Sequence, residues 1–87
     1  MHGTSAHEVH VRLFARYAEL VGTTDLVLTV ALPATVEAVV AELKARYHGA
    51  RLIPARPLAA VNLRHVPPDH LLQPGDELAL LPPVAGG

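Results

Sequence analysis

Two early stretches of the chain alternate between hydrophobic and polar residues, and each alternation predicts a β-strand. The first runs from Glu8 to Phe14 and the second from Thr24 to Ala31. Successive side chains of a strand point to opposite faces, so this pattern is typical of a strand with one buried face. A short helical segment over Ala15 to Val21, ended by Gly22, is expected between them. The two strands are therefore predicted to form a hairpin-like pair.

The middle of the chain carries the clearest helical pattern. Its apolar residues recur every three or four positions, as expected for one face of a helix. They are Val36, Val39, Val40, Leu43 and Tyr47. Thr35 is predicted to be the N-cap, because its hydroxyl oxygen can accept a hydrogen bond from a free backbone N–H of the first turn. Gly49 is predicted to stop this helix.

The second half of the chain predicts shorter elements separated by proline and glycine. In chain order these are a loop over residues 51–57, a buried strand over 58–62, a turn over 62–65 with a brief strand at Val66, a short 3₁₀ piece over 67–72, a turn over 73–76 and a last strand over 77–81. Pro74 and Gly75 occupy the central positions of the last turn, where each favours the backbone angles that a turn requires.

This order of elements predicts an α+β fold of the β-grasp (ubiquitin-like) type, with a mixed sheet packed on one main helix. The first and last strands are expected to lie side by side and parallel, since the chain crosses over between them through the helix. The predicted organisation is a disordered leader over residues 1–7, one domain over 8–81, and an extended tail over 82–87.

Composition narrows the classes of partner. The net charge is −1, the seven Lys and Arg residues are spread along the chain, and only three residues are aromatic. Nucleic acid is therefore not an expected partner, because neither a basic surface nor stacking platforms are indicated. No apolar run approaches the roughly 20 residues that span a bilayer, and no signal peptide is apparent. A cytoplasmic protein with a protein partner and no membrane contact is expected.

Candidate catalytic residues are few. The six histidines have no acidic partners at ligand spacing, so no metal site is expected. Ser5 lies in the leader without a base on a rigid element, and adjacent Asp76 and Glu77 would point to opposite faces. The chain has no Cys and no glycine-rich phosphate loop, so sulfur and ATP chemistry would have to be supplied by other proteins.

The reactive group is expected at the carboxyl end, where Gly86 and Gly87 follow Pro82, Pro83, Val84 and Ala85. Two glycines let the backbone lie flat in a narrow slot, and the prolines favour an extended path. Fully extended, residues 82–87 would reach about 20 Å, at roughly 3.3 Å per residue. Alternation places Leu81 on the outer face of the sheet, where it could form a docking patch with Pro82 and Pro83.

The sequence resembles the family of molybdopterin synthase small subunits. Members of this family are sulfur carriers. The resemblance rests on residues 74–87, which read PGDELALLPPVAGG, supported by residues 58–62 and 12–15. It implies no cofactor bound to the chain itself. An E1-like adenylyltransferase would use ATP to adenylate Gly87, and a sulfur donor enzyme would then convert the acyl-adenylate to a thiocarboxylate.

The same resemblance implies a partner and roles for individual residues. The tail would insert into the large subunit, in a heterotetramer, and deliver sulfur to cyclic pyranopterin monophosphate, with catalytic side chains supplied by the partners. Gly87 would be the modified residue and Gly86 the flat residue that threads the channel. Partner contacts would come from residues 81–85 and from His65, with Leu81 at a position where relatives often have an aromatic and His65 where they have an apolar contact.

Three alternatives remain open from the sequence. Carriers for thiamine synthesis or tRNA thiolation share the fold and the Gly-Gly end, although Pro82, Pro83 and Val84 favour the molybdopterin branch. A ubiquitin-like modifier would join Gly87 to lysines of target proteins. A plain β-grasp interaction module would have an inert tail.

Overall fold

The computed structural model describes residues 6–83, which form seven strands, two α-helices and a 3₁₀ helix. The strands are β1 (Ala6–Leu13), β2 (Asp25–Ala31), β3 (Ala34–Thr35), β4 (Leu58–Val61), β5 (Arg64–Val66), β6 (Leu71–Leu72) and β7 (Glu77–Leu81). The helices are α1 (Arg16–Val21), α2 (Val36–Arg46) and the 3₁₀ helix His48–Leu52. Neither α-helix is long and apolar enough to span a bilayer.

Five strands form one mixed sheet in the order β2-β1-β7-β4-β5. β1 and β7 are parallel neighbours at its centre, and the other pairs in this sheet are antiparallel. The fold is the predicted α+β β-grasp, and the predicted pairing of the first and last strands is confirmed. Strand β1 begins at Ala6, and Ala6 and His7 pair with Ala31 and Val30, so the predicted leader is wrong for these two residues.

The core lies between one face of this sheet, the inner face, and helix α2. Alternate residues of the strands point into it, and so does the apolar side of the helix, as burial of hydrophobic surface requires. The side chains that are at most 2% exposed are Val9, Val11, Leu13, Leu28, Leu78 and Leu80 from the sheet, Val36, Val39, Val40 and Leu43 from α2, Ala50 from the 3₁₀ helix, Ile53 directly after it, and Leu72 from β6. The opposite, outer face of the sheet is not covered by any described element.

The start of α2 is held by hydrogen bonds from two directions. The Thr35 hydroxyl accepts from the Ala38 N–H at 3.0 Å, which confirms the predicted N-cap. The N–H groups of Val36 and Glu37 donate to backbone carbonyls of the segment before β6, at 2.9 and 3.0 Å. Three N–H groups of the first turn, which have no partner within the helix, are thus satisfied.

The 3₁₀ piece predicted over residues 67–72 is wrong, because residues 68 and 69 form a turn and Leu71 and Leu72 form β6. Strand β6 pairs with β3 in a separate two-stranded sheet, and Leu72 is fully buried in the core. This pairing brings together segments more than 30 residues apart, which a local pattern does not report.

The predicted end of α2 at Gly49 is also wrong. The helix ends at Arg46, Tyr47 is already extended, and the following 3₁₀ helix takes the first two residues of the predicted 51–57 loop. Gly49 is needed for a different reason, because a Cβ there would overlap with the carbonyl oxygen of Leu20. The absence of a side chain lets the 3₁₀ helix approach α1 closely.

Candidate functional site

Strand β7 leads the chain out of the fold. It lies between β1 and β4, and its last residue, Leu81, is followed by half-buried Pro82 and exposed Pro83, which are in no helix or strand. Val84, Ala85, Gly86 and Gly87 lie outside the described residues, so their predicted roles stay predictions. The structure therefore defines the point from which the tail departs and the surface beside it.

That surface is an apolar patch on the outer face of the sheet. The strand register sets Leu81 of β7 against Leu58 of β4, and Ala79 against Ala60. Within β7, Leu78 and Leu80 are fully buried while Ala79 and Leu81 are half-buried, which confirms the predicted outward position of Leu81. Leu58 is 50% exposed. We call Leu58, Ala60, His65, Ala79 and Leu81 the outer patch.

His65 belongs to the same surface. It is exposed on β5, and its register partner is Ala60, so it lies on the face that carries Ala79 and Leu81. The structure thus brings His65 next to Leu81, although 15 residues of sequence separate them. A histidine at this place makes one side of an otherwise apolar surface polar.

Sequence reasoning missed two residues near this patch. Leu58 was predicted within a buried strand, yet only Ala59, Ala60 and Val61 of that strand are buried. Phe14 follows β1 directly and is 42% exposed. The sequence carried no signal for the first, because residues 58–61 form an unbroken apolar run. Phe14 could be found only from the register that pairs its neighbour Leu13 with Leu80 and so sets Phe14 level with Leu81.

The opposite end of β7 is fixed by polar contacts. The Asn62 side chain donates to Asp76 Oδ1 at 2.9 Å and accepts from the Glu77 N–H at 3.0 Å. The second oxygen of Asp76 accepts from the Gln73 N–H at 2.9 Å. Both oxygens of the Asp76 carboxylate are therefore engaged in holding the turn, which agrees with a structural role for this residue.

The turn before β7 and the hairpin between β4 and β5 both use left-handed backbone. Gly75 has a φ of 91°, as the predicted Pro-Gly turn requires. Asn62 and Leu63 connect β4 to β5 with φ values of 51° and 71°, typical of a two-residue hairpin turn. Two tight turns, linked through Asn62 and Asp76, thus set the position of β7 before it runs to its exposed end.

One ion pair borders the outer patch, because Arg12 of β1 is the register partner of Ala79. Arg12 Nε and Asp25 Oδ1 are 3.2 Å apart on the outer face, at the β2 side of the sheet, and both side chains are about half exposed. Exposed pairs of this kind contribute little to stability. Across residues 6–83, no three His, Asp or Glu side chains come close enough together to hold a metal ion. The features beside the tail are suited to contact with a protein surface.

Comparison with protein families shows to which family the chain belongs. The model of one family, described as ThiS family, matches residues 11–87. The chain belongs to the ThiS family.

Two relatives carry the name molybdopterin synthase sulfur carrier subunit. The Arabidopsis thaliana protein is 33% identical over 84 residues, which cover 97% of this chain and 88% of that protein. The Escherichia coli (strain K12) protein is 41% identical over 81 residues, covering 91% and 99%.

A solved structure agrees with this assignment. The crystal structure of small archaeal modifier protein 1 from Haloferax volcanii matches with a TM-score of 0.79 and 26% identity, over 92% of this chain and 99% of that one. The match to the ThiS family model, over residues 11–87, includes β7 and the tail. The outer patch and the end of β7 are thus the described surfaces nearest to the residues predicted to react.

Proposed function

We propose that this chain is the sulfur carrier subunit of a molybdopterin synthase. The observation that carries the proposal is the similarity to two proteins of that name over at least 91% of the chain. The sulfur would be held as a thiocarboxylate on Gly87 and used to convert cyclic pyranopterin monophosphate to molybdopterin. The family match extends to Gly87, which supports a role for this residue.

The chemistry requires activation by another protein. The Gly87 carboxylate is a poor electrophile, so an E1-like adenylyltransferase would join it to AMP, with pyrophosphate released from ATP. A persulfide sulfur of a donor enzyme then displaces AMP, and reduction of the resulting acyl disulfide by a thiol leaves the thiocarboxylate. Its sulfur is a soft nucleophile that attacks the pterin precursor. No side chain of this subunit is required for these steps, and no cofactor need be bound to it.

The outer patch would dock on the large subunit of the synthase. Leu58 and Leu81 present apolar area beside the start of the tail, and burial of such area yields about 25 cal/mol per Å². Pro82 and Pro83 fix φ, which favours an extended backbone at the start of the tail. In the proposed heterotetramer each tail would then enter the active site of a large subunit, with Gly86 in the narrowest part of the channel.

Reconstitution tests the proposal. Thiocarboxylated chain, combined with a candidate large subunit and cyclic pyranopterin monophosphate, is expected to form molybdopterin, whereas the chain with an unmodified carboxylate is not. Deletion of Gly87 is expected to abolish product formation and to leave the thermal unfolding curve unchanged. Intact-mass analysis after incubation with the activating enzyme, ATP and a sulfur donor should show replacement of one oxygen by sulfur. Failure to form this species would contradict every sulfur-carrier function.

A second candidate function is protein modification. The similarity to small archaeal modifier protein 1 supports it, because that protein is named as a modifier. In this case the activated Gly87 would form an isopeptide bond with a lysine amine and release AMP. Mass spectrometry of digested proteins from cells that express the chain would show remnants of its tail on target lysines. Their absence, together with thiocarboxylate on the free chain, would favour the carrier.

A further inference from the structure

The sheet has one long strand with an uncovered edge. Strand β2 lies at the end of the strand order and, within residues 6–83, pairs only with β1. It has seven residues, Asp25 to Ala31, in unbroken register with β1. The strand at the other end of the sheet, β5, has only three residues. An edge as long as β2 offers a row of backbone donors and acceptors to another strand.

The pairing with β1 shows which groups face outward. The Leu13 N–H donates to the Thr24 carbonyl at 2.9 Å, so residues 13 and 24 form a hydrogen-bonded pair of the antiparallel ladder. Such pairs occur at every second position, so the even-numbered residues of β2 bond to β1. The N–H and C=O groups that point away from β1 belong to Asp25, Val27, Thr29 and Ala31. Those of Asp25 already bond to the Thr23 side chain, whose Oγ1 accepts from the Asp25 N–H at 3.2 Å and donates to the Asp25 carbonyl at 2.8 Å, so Val27, Thr29 and Ala31 carry the open groups.

The devices by which proteins usually protect a sheet edge are missing from β2. Its only charged residue is Asp25, at one end, and it contains no Pro, no Lys and no bulge. Val27 is 42% exposed. A groove of about 340 Å³ lies between the edge and α2, lined by small residues that include Ala31, Ala34 and Ala38. The space beside the strand is therefore open.

We propose that β2 pairs in antiparallel fashion with β2 of a second copy of the chain, about a two-fold axis at Leu28. Val27 of each copy then forms a hydrogen-bonded pair with Thr29 of the other, and the Ala31 N–H donates to the second lone pair of the Asp25 carbonyl of the other. The two five-stranded sheets become one continuous sheet. This inference is independent of the proposed function, since it rests on the edge of the sheet that is opposite to β4 and β5.

Three properties of β2 favour a second copy over an unrelated strand. The register about Leu28 uses the open groups of Val27, Thr29 and Ala31 and keeps inner-face residues on the inner face, because paired positions are both odd or both even. It sets Asp25 against Ala31 and not against its own copy, which keeps the two carboxylates at opposite ends of the interface. Leu26 and Val30, at 9% and 8% exposure, are more exposed than Leu28 at 1%, and they would cover each other across the axis.

The groove adds charge complementarity. Glu42 and Arg46 of α2 line it, and their side chains are 3.5 Å apart and each about two-fifths exposed. In a symmetric dimer, Glu42 of one copy can face Arg46 of the other, so that like charges do not lie opposite each other. The outer patch lies on β4, β5 and β7, so dimer formation would leave it accessible to another protein.

Analytical ultracentrifugation of the full chain at micromolar to millimolar concentration tests the dimer. The apparent mass is expected to rise with concentration from 9.2 kDa toward twice that value. Thr29→Pro removes an outward N–H that β1 does not use, and its effect occurs twice in a symmetric dimer. At least a tenfold increase in the dissociation constant is expected. Thr29→Val keeps the N–H and is the matched control, for which no such increase is expected.

Hydrogen exchange provides a second measurement on the unsubstituted chain, which decides the matter even if Thr29→Pro fails to fold. The amides of Val27, Thr29 and Ala31 should exchange slowly in concentrated solution and rapidly in dilute solution. A monomer at every concentration would overturn the proposal. So would protection that is independent of concentration, because the edge would then be covered by the chain's own remaining residues. A dimer that Thr29→Pro leaves intact would mean that another surface associates.

Discussion

Both faces of the five-stranded sheet carry apolar side chains in β7, but the two faces differ in how far these side chains are buried. In β7, inward-facing Leu78 and Leu80 are fully buried against α2, whereas Ala79 and Leu81, one position along in each case, are only half-buried. The inner face is therefore where burial stabilises the fold. The outer face keeps apolar residues beside the start of the tail without an internal partner, which is the arrangement expected of a surface that another protein covers.

Replacement of an inner-face residue should have the largest effect. Leu80→Ala would remove a fully buried side chain and leave a cavity, with an expected loss of about 2 to 5 kcal/mol in the free energy of unfolding. For a domain of this size that corresponds to a decrease in melting temperature of at least roughly 10 °C. Urea unfolding and calorimetry would measure both quantities.

Leu81→Ala is the matched control, because it makes the same change one residue away on the other face. Its expected cost is below about 1 kcal/mol, since surface substitutions have small effects. Equal losses for the two variants would contradict the difference between the faces. They would mean that the outer patch is already packed within the chain.

Much of the fold could be predicted because its signals are local. The alternation in β1 and β2, the Thr35 cap and the Pro74-Gly75 turn each depend on residues within a few positions of one another. The end of α2 could not be predicted, because Gly49 is needed where the chain passes close to the Leu20 carbonyl. The pairing of β6 with β3 likewise depends on residues distant in sequence.

The candidate site could likewise be predicted only in part from the sequence. The outward position of Leu81 followed from alternation within one strand. The contact of β7 with Leu58, and the place of His65 on the same face, depend on the register of three strands. Sequence could name single residues of the outer patch, but only the sheet assembles them into one surface. The roles of Gly86 and Gly87 stay predictions that rest on the family relationship.

An outer-face substitution should affect association and leave stability nearly unchanged. Leu81→Arg would place a charge in the surface proposed to dock on the large subunit, where its desolvation would oppose binding. The dissociation constant for the large subunit is expected to increase at least tenfold, or about 1.4 kcal/mol. Titration calorimetry with the purified large subunit would measure it.

Leu52→Arg is a suitable control for that experiment. Leu52 is 68% exposed on the 3₁₀ helix, away from the sheet, so the same change adds the same charge outside the outer patch. It should leave the dissociation constant within about twofold. If both variants weaken binding equally, net charge and not the outer patch determines the affinity.

The smallest effect concerns Tyr17 of α1, which lies in the core, and it appears only at alkaline pH. Tyr17 is 5% exposed, and burial raises the pKa of its phenol above the ordinary value of 10.0. Above pH 10 the unfolded chain loses this proton while the folded chain retains it, so the free energy of unfolding decreases as the pH rises toward the folded-state pKa. Below pH 10 both states are protonated and the group contributes no pH dependence.

Tyr17→Phe keeps the ring in the core and removes the titration. Urea unfolding of both proteins from neutral pH to about pH 11 should therefore show a loss in the unsubstituted chain that exceeds the loss in Tyr17→Phe, because every other ionisable group is common to both. Identical losses would mean that the hydroxyl is as well solvated in the folded protein as in the unfolded chain.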